Sequence, residues 1–322
     1  MAIRNLYGLT AGLVLGAGLM GTAWAQVPPP PPSAAAAATP DQDAINLEDV
    51  TVVGAANRAL AAYARTIGSG PMGRLSPRWN DRICVRVINM DAEHAAFLKD
   101  RIETVAAAIG LSPQTSPTCQ PTISIYASDD PDALAAALVE AAPRNFRPAR
   151  NHVSLGDEAL DVFRTTDAPV RWWQVSLPLM VDTGQLAMPL GATEDRKQDP
   201  LGRQVTVRNG SRLRGNVRDD LMGVTIIIDT PRVGGLPFGA LSDYVAFVAL
   251  APADPRVPTA GFNTVLNLFA DPAVTGLSLM DQDYLYALYT ASRAPASAGL
   301  QAAEIAGRMA TERRRRGEAA PP

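Results

Sequence analysis

The chemistry this chain can offer starts with one acid. The run ALSDYVAFVALA, residues 240–251, is apolar on nearly every side except at Asp243. A helix that is apolar all round is a buried helix, and a carboxylate inside one needs a partner. Arg212 and Arg214, upstream of the strand that leads to this helix, are the expected partners. Asp243 and Arg212 are therefore either a binding site or a structural ion pair. Two further acid groups stand out: Asp129, Asp130 and Asp132, and Asp281 with Asp283. Paired carboxylates can run acid–base chemistry without histidine. Both groups stand at helix starts, however, where acids answer the helix dipole.

Other chemistries lack their parts. His94 and His152 are the only histidines, and neither has a spaced partner of metal-ligand type. No nucleophile elbow G-x-S-x-G is present; Gly239-Ala240-Leu241-Ser242-Asp243 lacks the second glycine. There is no phosphate loop of the G-x-x-x-x-G-K-[ST] kind and no C-x-x-C pair. No cofactor and no metal are expected. Trp172 and Trp173 lie in the strand-like run VRWWQVSLPL, so their rings point to opposite faces. One is expected in the core. The other is either core or an exposed surface for a partner or a glycan.

These residues must be held by a framework, and the N-terminus says where it resides. Arg4, the apolar run at residues 8–21 and Ala23-Trp24-Ala25 form a cleavable signal peptide, residues 1–25. A periplasmic, exported chain of 297 residues is expected, with no later stretch long and apolar enough to span a bilayer. The formal charge of −3 gives no reason to expect nucleic acid. In an oxidising compartment Cys84 and Cys119, the only cysteines, are expected to pair. Such a bridge stabilises by roughly 3–4 kcal/mol in the chain-entropy model.

Residues 26–46 are a Pro/Ala tract that cannot bury a core. LEDVTVVG, residues 47–54, reads as a short β segment, with Val50, Val52 and Val53 as candidate partner residues. The alternative is a first edge strand of the chain's own sheet. ANRALAAYARTI, residues 56–67, suits a helix. ICVRVIN is the first strand, and Asp91 caps a helix with Ala95, Leu98, Ile102, Val105 and Ile109 at helical spacing. TISIYAS is the next strand, and Asp130-Pro131 opens another helix. This β-α-β-α order implies parallel pairing. Ser154 begins a capping-box pattern, Asn209-Gly210 marks a hairpin, and GVTIIID, residues 223–229, is a central strand. Ser278 with Asp281 caps the helix carrying DYLYALYTA. A last helix ends in ERRRRG, expected to be solvated.

The order of strand, long helix, strand, further strands, buried helix, turn and last helix resembles the metzincin-type zincins, especially the matrixins. In that family the buried helix carries HExxHxxGxxH, the next turn reads like S-x-M-x-P, and LS-x-x-D precedes a helix containing ALY. Here Thr264-Val265-Leu266-Asn267 stands at the turn, Leu277-Ser278 and Asp281 precede the helix, and Ala287-Leu288-Tyr289 lie within it. The zinc motif laid over the buried helix gives Ser242, Asp243, Ala246, Ala249 and Pro252, so all three histidines are missing. The resemblance implies an α/β (α+β) fold with a zincin-like mixed sheet, packed helices and a buried central helix. It implies one such domain over residues 55–293, followed by a C-terminal helix and basic tail over 294–322. LEDVTVVG also resembles the TonB-box-like segment of outer-membrane TonB-dependent receptors. The phrases RWNDRICVRVIN, RWWQVSLP and LNLFAD…LYALY resemble a group of uncharacterised exported proteins of Gram-negative bacteria. The expectation is a non-catalytic binding or scaffolding module with an envelope protein partner. The alternative is an envelope hydrolase of unusual, metal-independent type.

Overall fold

The strand residues alternate between two apolar cores, and that alternation fixes the architecture. Along β4 (Ile123–Ser128), β5 (Val170–Met180) and β6 (Val217–Asp229), side chains point to each sheet face in turn. Trp172, Ile226 and Ile228 enter the larger core, while Trp173 and Ile227 enter the smaller one on the opposite face. With β2 (Val85–Ile88) these strands form a four-stranded sheet of order β2-β4-β6-β5. The first three are parallel, and β5 runs antiparallel at the edge. A two-residue parallel pair joins β1 (Arg82–Ile83) to β3 (Ser112–Pro113). The computed structural model describes residues 47–68, 70, 74–80, 82–147, 155–187 and 214–317.

The expected mixed α/β fold is present. β2 feeds α2 (Ala92–Ala108), capped by Asp91, and β4 feeds α3 (Pro131–Ala141), capped by Asp130 with proline in the first turn. α3, α4 (Pro143–Phe146) and α5 (Asp157–Thr165) cover the smaller core, which holds Phe146, Phe163 and Trp173. After β6 and the short α6 (Thr230–Val233) comes α7 (Phe238–Leu250), in which every residue from Ala240 to Leu250 is buried. α7 packs on α2, on β6 and on a 3-10 turn, Val265–Asn267. Each large apolar side chain so buried stabilises by about 1.5–3 kcal/mol before entropy is counted. α8 (Leu279–Thr290) follows, opened by the expected capping box of Ser278 and Asp281.

The ends of the described chain differ from expectation. α1 spans Leu47–Ile67, so Val50, Val52 and Val53 lie in a helix and not in a β segment. Valine alternation favours strand only weakly, and tertiary burial overrides it. This helix seats Leu60, Tyr63, Ala64 and Ile67 in the core at a 3.6-residue period. The last helix, α9 (Ala298–Arg315), is part of the fold and not an appendage. It packs on α1 and α8, with Ile305 and Met309 fully buried. α5 opens at Gly156 without a side-chain cap. Ser154 and the Asn209-Gly210 turn lie outside the described residues. Among the described residues no helix is long and apolar enough to cross a membrane.

Candidate functional site

Asp243 is the one acid on α7, and both its oxygens are engaged. Its side chain is 12% exposed, and Oδ1 accepts a charged hydrogen bond from Arg101 Nε on α2. Oδ2 accepts from the backbone N–H of Leu277 at 2.9 Å. The chain approaches closely there: a Cβ added at Gly276 would run into Asp243 Oδ2. The expected partner was an upstream arginine, and the actual partner is Arg101. Arg214 forms a backbone bridge with Pro295 instead, and Arg212 lies outside the described residues. Nothing local in the sequence ties residue 101 to residue 243. The weak signal of Arg101 is a cation among the polar positions of α2, the helix that lies beside α7.

The segment after α7 is organised by a second acid. Asp281 is fully buried and gathers five hydrogen bonds. Oδ1 accepts from Tyr63 Oη and Thr264 Oγ1, both at 2.6 Å. Oδ2 accepts from Val265 N at 2.8 Å, from Ser278 N at 2.9 Å and from Ser278 Oγ at 2.8 Å. One carboxylate thus ties α1, the 3-10 turn and the start of α8 together. Burial pushes its pKa up, and the bonds from Thr264, Tyr63, Val265 and Ser278 pull it part of the way back. The same Tyr63 phenol is held well above its usual range by burial and by the neighbouring Asp281. The Thr264–Asp281 frame is therefore a structural joint.

Two openings flank the Arg101–Asp243 pair. A polar cavity of about 380 Å³ is lined by Asp243, Asn263, Asp271, Thr275 and Ser278. A groove of about 310 Å³ runs between α2, α8 and α9, past Arg101, Val105, Ile109, Tyr286 and Glu312. Leu277 lines both, so the ion pair and its loop form the wall between them. Tyr286 presents an exposed aromatic side chain to the groove.

The other expected site residues fall elsewhere. Cys84 and Cys119 form the expected disulfide, across the starts of two parallel strands. Trp172 and Trp173 are both buried, which removes the exposed-aromatic reading. Each indole is also satisfied: Trp172 donates to Ala253 O at 2.8 Å, and Trp173 donates to Phe146 O at 3.0 Å. Asp283 is no cap: it is fully buried and paired with Arg313 and Arg316. Half of the basic tail is therefore anchored and not solvated. Asp132 reaches the buried Arg171 at 2.7 Å. His94 stands in the first turn of α2, and His152 lies outside the described residues. Among the described residues no three His, Cys, Asp or Glu side chains gather as a metal-holding group. No protein-family model matches the chain, and no curated protein or solved structure matches it.

Proposed function

We propose that the chain is an exported, non-catalytic binding protein on a zincin-like layout, engaging a protein partner of the cell envelope through the groove between α2, α8 and α9. The carrying observation is Asp243. The resemblance puts a catalytic carboxylate at its position, and a general base must be aimed at the proton it abstracts. Here Arg101 and the Leu277 amide occupy one oxygen each. The zincin-like layout is supported by the order of elements, with a buried α7, a tight turn held by Thr264 and a last helix capped by Ser278 and Asp281. Export is supported by the signal-peptide pattern and by the Cys84–Cys119 disulfide, which persists in oxidising compartments. The groove combines an exposed tyrosine, aliphatic walls and charged edges, a composition suited to protein contacts.

The test is site-specific photocrosslinking in cells. A photoreactive residue replaces Tyr286 in the groove or, as a control, the exposed Val181 beyond β5. A discrete heavier adduct from position 286 and none from 181 is the expected result. No adduct, or the same adducts from both positions, removes the groove from the account.

A further inference from the structure

The carboxyl ends of the parallel strands β2, β4 and β6 lie close together, with Ile88 opposite Tyr126 and Ser128 opposite Asp229. Beyond those ends the chain leaves the sheet in opposite directions. After β2 it enters α2, whose Leu98, Ile102 and Ala106 belong to the larger core. After β4 it enters α3, whose Ala135 belongs to the smaller core on the other face. Where neighbouring parallel strands send their connections to opposite faces, a crevice opens outside their carboxyl ends, and open α/β sheets bind ligands there. This sheet has such a crevice, a cavity of about 340 Å³. That is the small end of the roughly 300–1,000 Å³ span of small-molecule pockets.

Its composition selects a ligand. The walls include Ile228, Phe238 and Leu241, and polar groups converge from Asn89, Asp91, His94 and Thr230. Asn89 is the one non-glycine among the described residues with a left-handed backbone, at φ 59°. Asparagine tolerates that conformation better than most side chains. Two residues on, Asp91 caps α2 and holds the His94 ring, with Nδ1 2.8 Å from its Oδ2. The ring stands edge-on to Phe238, with centroids 4.6 Å apart. Because Nδ1 is tied to the carboxylate, Nε2 is left for a further partner. Among the described residues no lysine or arginine lines the cavity, and Asp91 is the one acid there. Hydrogen bonds from His94 hold the Asp91 carboxyl below its usual range, so the charge persists into mild acid.

We propose that this crevice binds a small organic ammonium ion, with its apolar body against Ile228 and Phe238 and its cationic head against Asp91 and His94. A carboxylate without a neighbouring lysine or arginine attracts such a head and repels an anion of the same shape. The site shares no lining residue with the groove between α2, α8 and α9, so its test stands apart from the crosslinking result.

Three probes of one shape test the idea on the purified full chain: 2-phenylethylammonium, 2-phenylethanol and 3-phenylpropionate. Amide shifts in ¹H–¹⁵N spectra locate binding, and titration ranks it. The ammonium compound should shift His94, Thr230 and Phe238 and bind about tenfold more tightly than the alcohol, with no binding of the acid. Asp91→Asn keeps a competent helix cap and should abolish the advantage of the amine over the alcohol. His94→Gln should weaken the amine while leaving the helical circular dichroism unchanged. The proposal is overturned if the acid binds as tightly as the amine, if the shifts map elsewhere, or if no probe produces shifts at the crevice.

Discussion

Arg101 and Asp243 meet across two packed helices, 142 residues apart in sequence, and the carboxylate's second oxygen holds the amide of Leu277. One acid thus joins α2, α7 and the loop that opens α8.

Removing that acid should cost stability. Asp243→Ala leaves the Leu277 amide without its partner and should lower the unfolding free energy by about 1–3 kcal/mol. Arg101 is 39% exposed, so its own share is discounted to at most about 1 kcal/mol. Asp243→Asn keeps an acceptor for Leu277 and should cost less. Gly276→Ala forces a methyl group into the carboxylate and should cost about 1–3 kcal/mol. Urea unfolding of the three variants checks the order.

The joint at Asp281 should be more sensitive. Asp281→Ala strands buried donors from Tyr63, Thr264, Val265 and Ser278, and should cost at least about 3 kcal/mol. Tyr63→Phe removes one of those bonds and should cost about 1 kcal/mol.

Asp281 also sets a pH dependence. Its folded pKa is raised above the ordinary 3.8 by burial. The native state therefore holds the proton more tightly than the unfolded chain does. That contribution is fully present below pH 3.8 and is lost as pH rises through the raised value. Burial shifts Asp219 and Asp283 in the same direction. Comparison with Asp281→Asn isolates the one group. The stability advantage of the native protein over Asp281→Asn should shrink from pH 4 to pH 7, as read by unfolding at each pH.

The C-terminal arginines should matter to folding. Ending the chain at Glu312 removes Arg313 and Arg316 and leaves Asp283 buried without a counter-charge. The loss should be roughly 3 kcal/mol. A merely solvated tail would leave the denaturation midpoint unchanged.

Reducing or deleting the Cys84–Cys119 bridge should cost about 4 kcal/mol in the chain-entropy model, given its separation of 35 residues. Unfolding of Cys84→Ala/Cys119→Ala measures it.

What the sequence disclosed was mostly local. Asp91, Asp130 and the Ser278–Asp281 box lie within three residues of the amides they cap, so their spacing alone identifies them. The parallel pairing of β2 and β4 followed from the intervening helix, and the disulfide from the oxidising compartment implied by the signal-peptide pattern. The partner of Asp243 was hidden because tertiary packing, not spacing, brings Arg101 to it. Tryptophans 172 and 173 do point to opposite faces, but helices cover both faces, which their own strand cannot reveal. Arg313–Arg316 read as solvated because their counter-charge, Asp283, sits on another helix. The valines of residues 47–54 suggest a strand because their local alternation says nothing of the helix that runs on through the buried Leu60, Tyr63, Ala64 and Ile67.

The central claim is that Asp243 is a strut and not part of a working zinc site. Its most direct test is the metal content of the purified protein, measured by mass spectrometry alongside Asp243→Asn. The account expects zinc far below one ion per chain in both proteins. About one zinc per chain in either protein would contradict it.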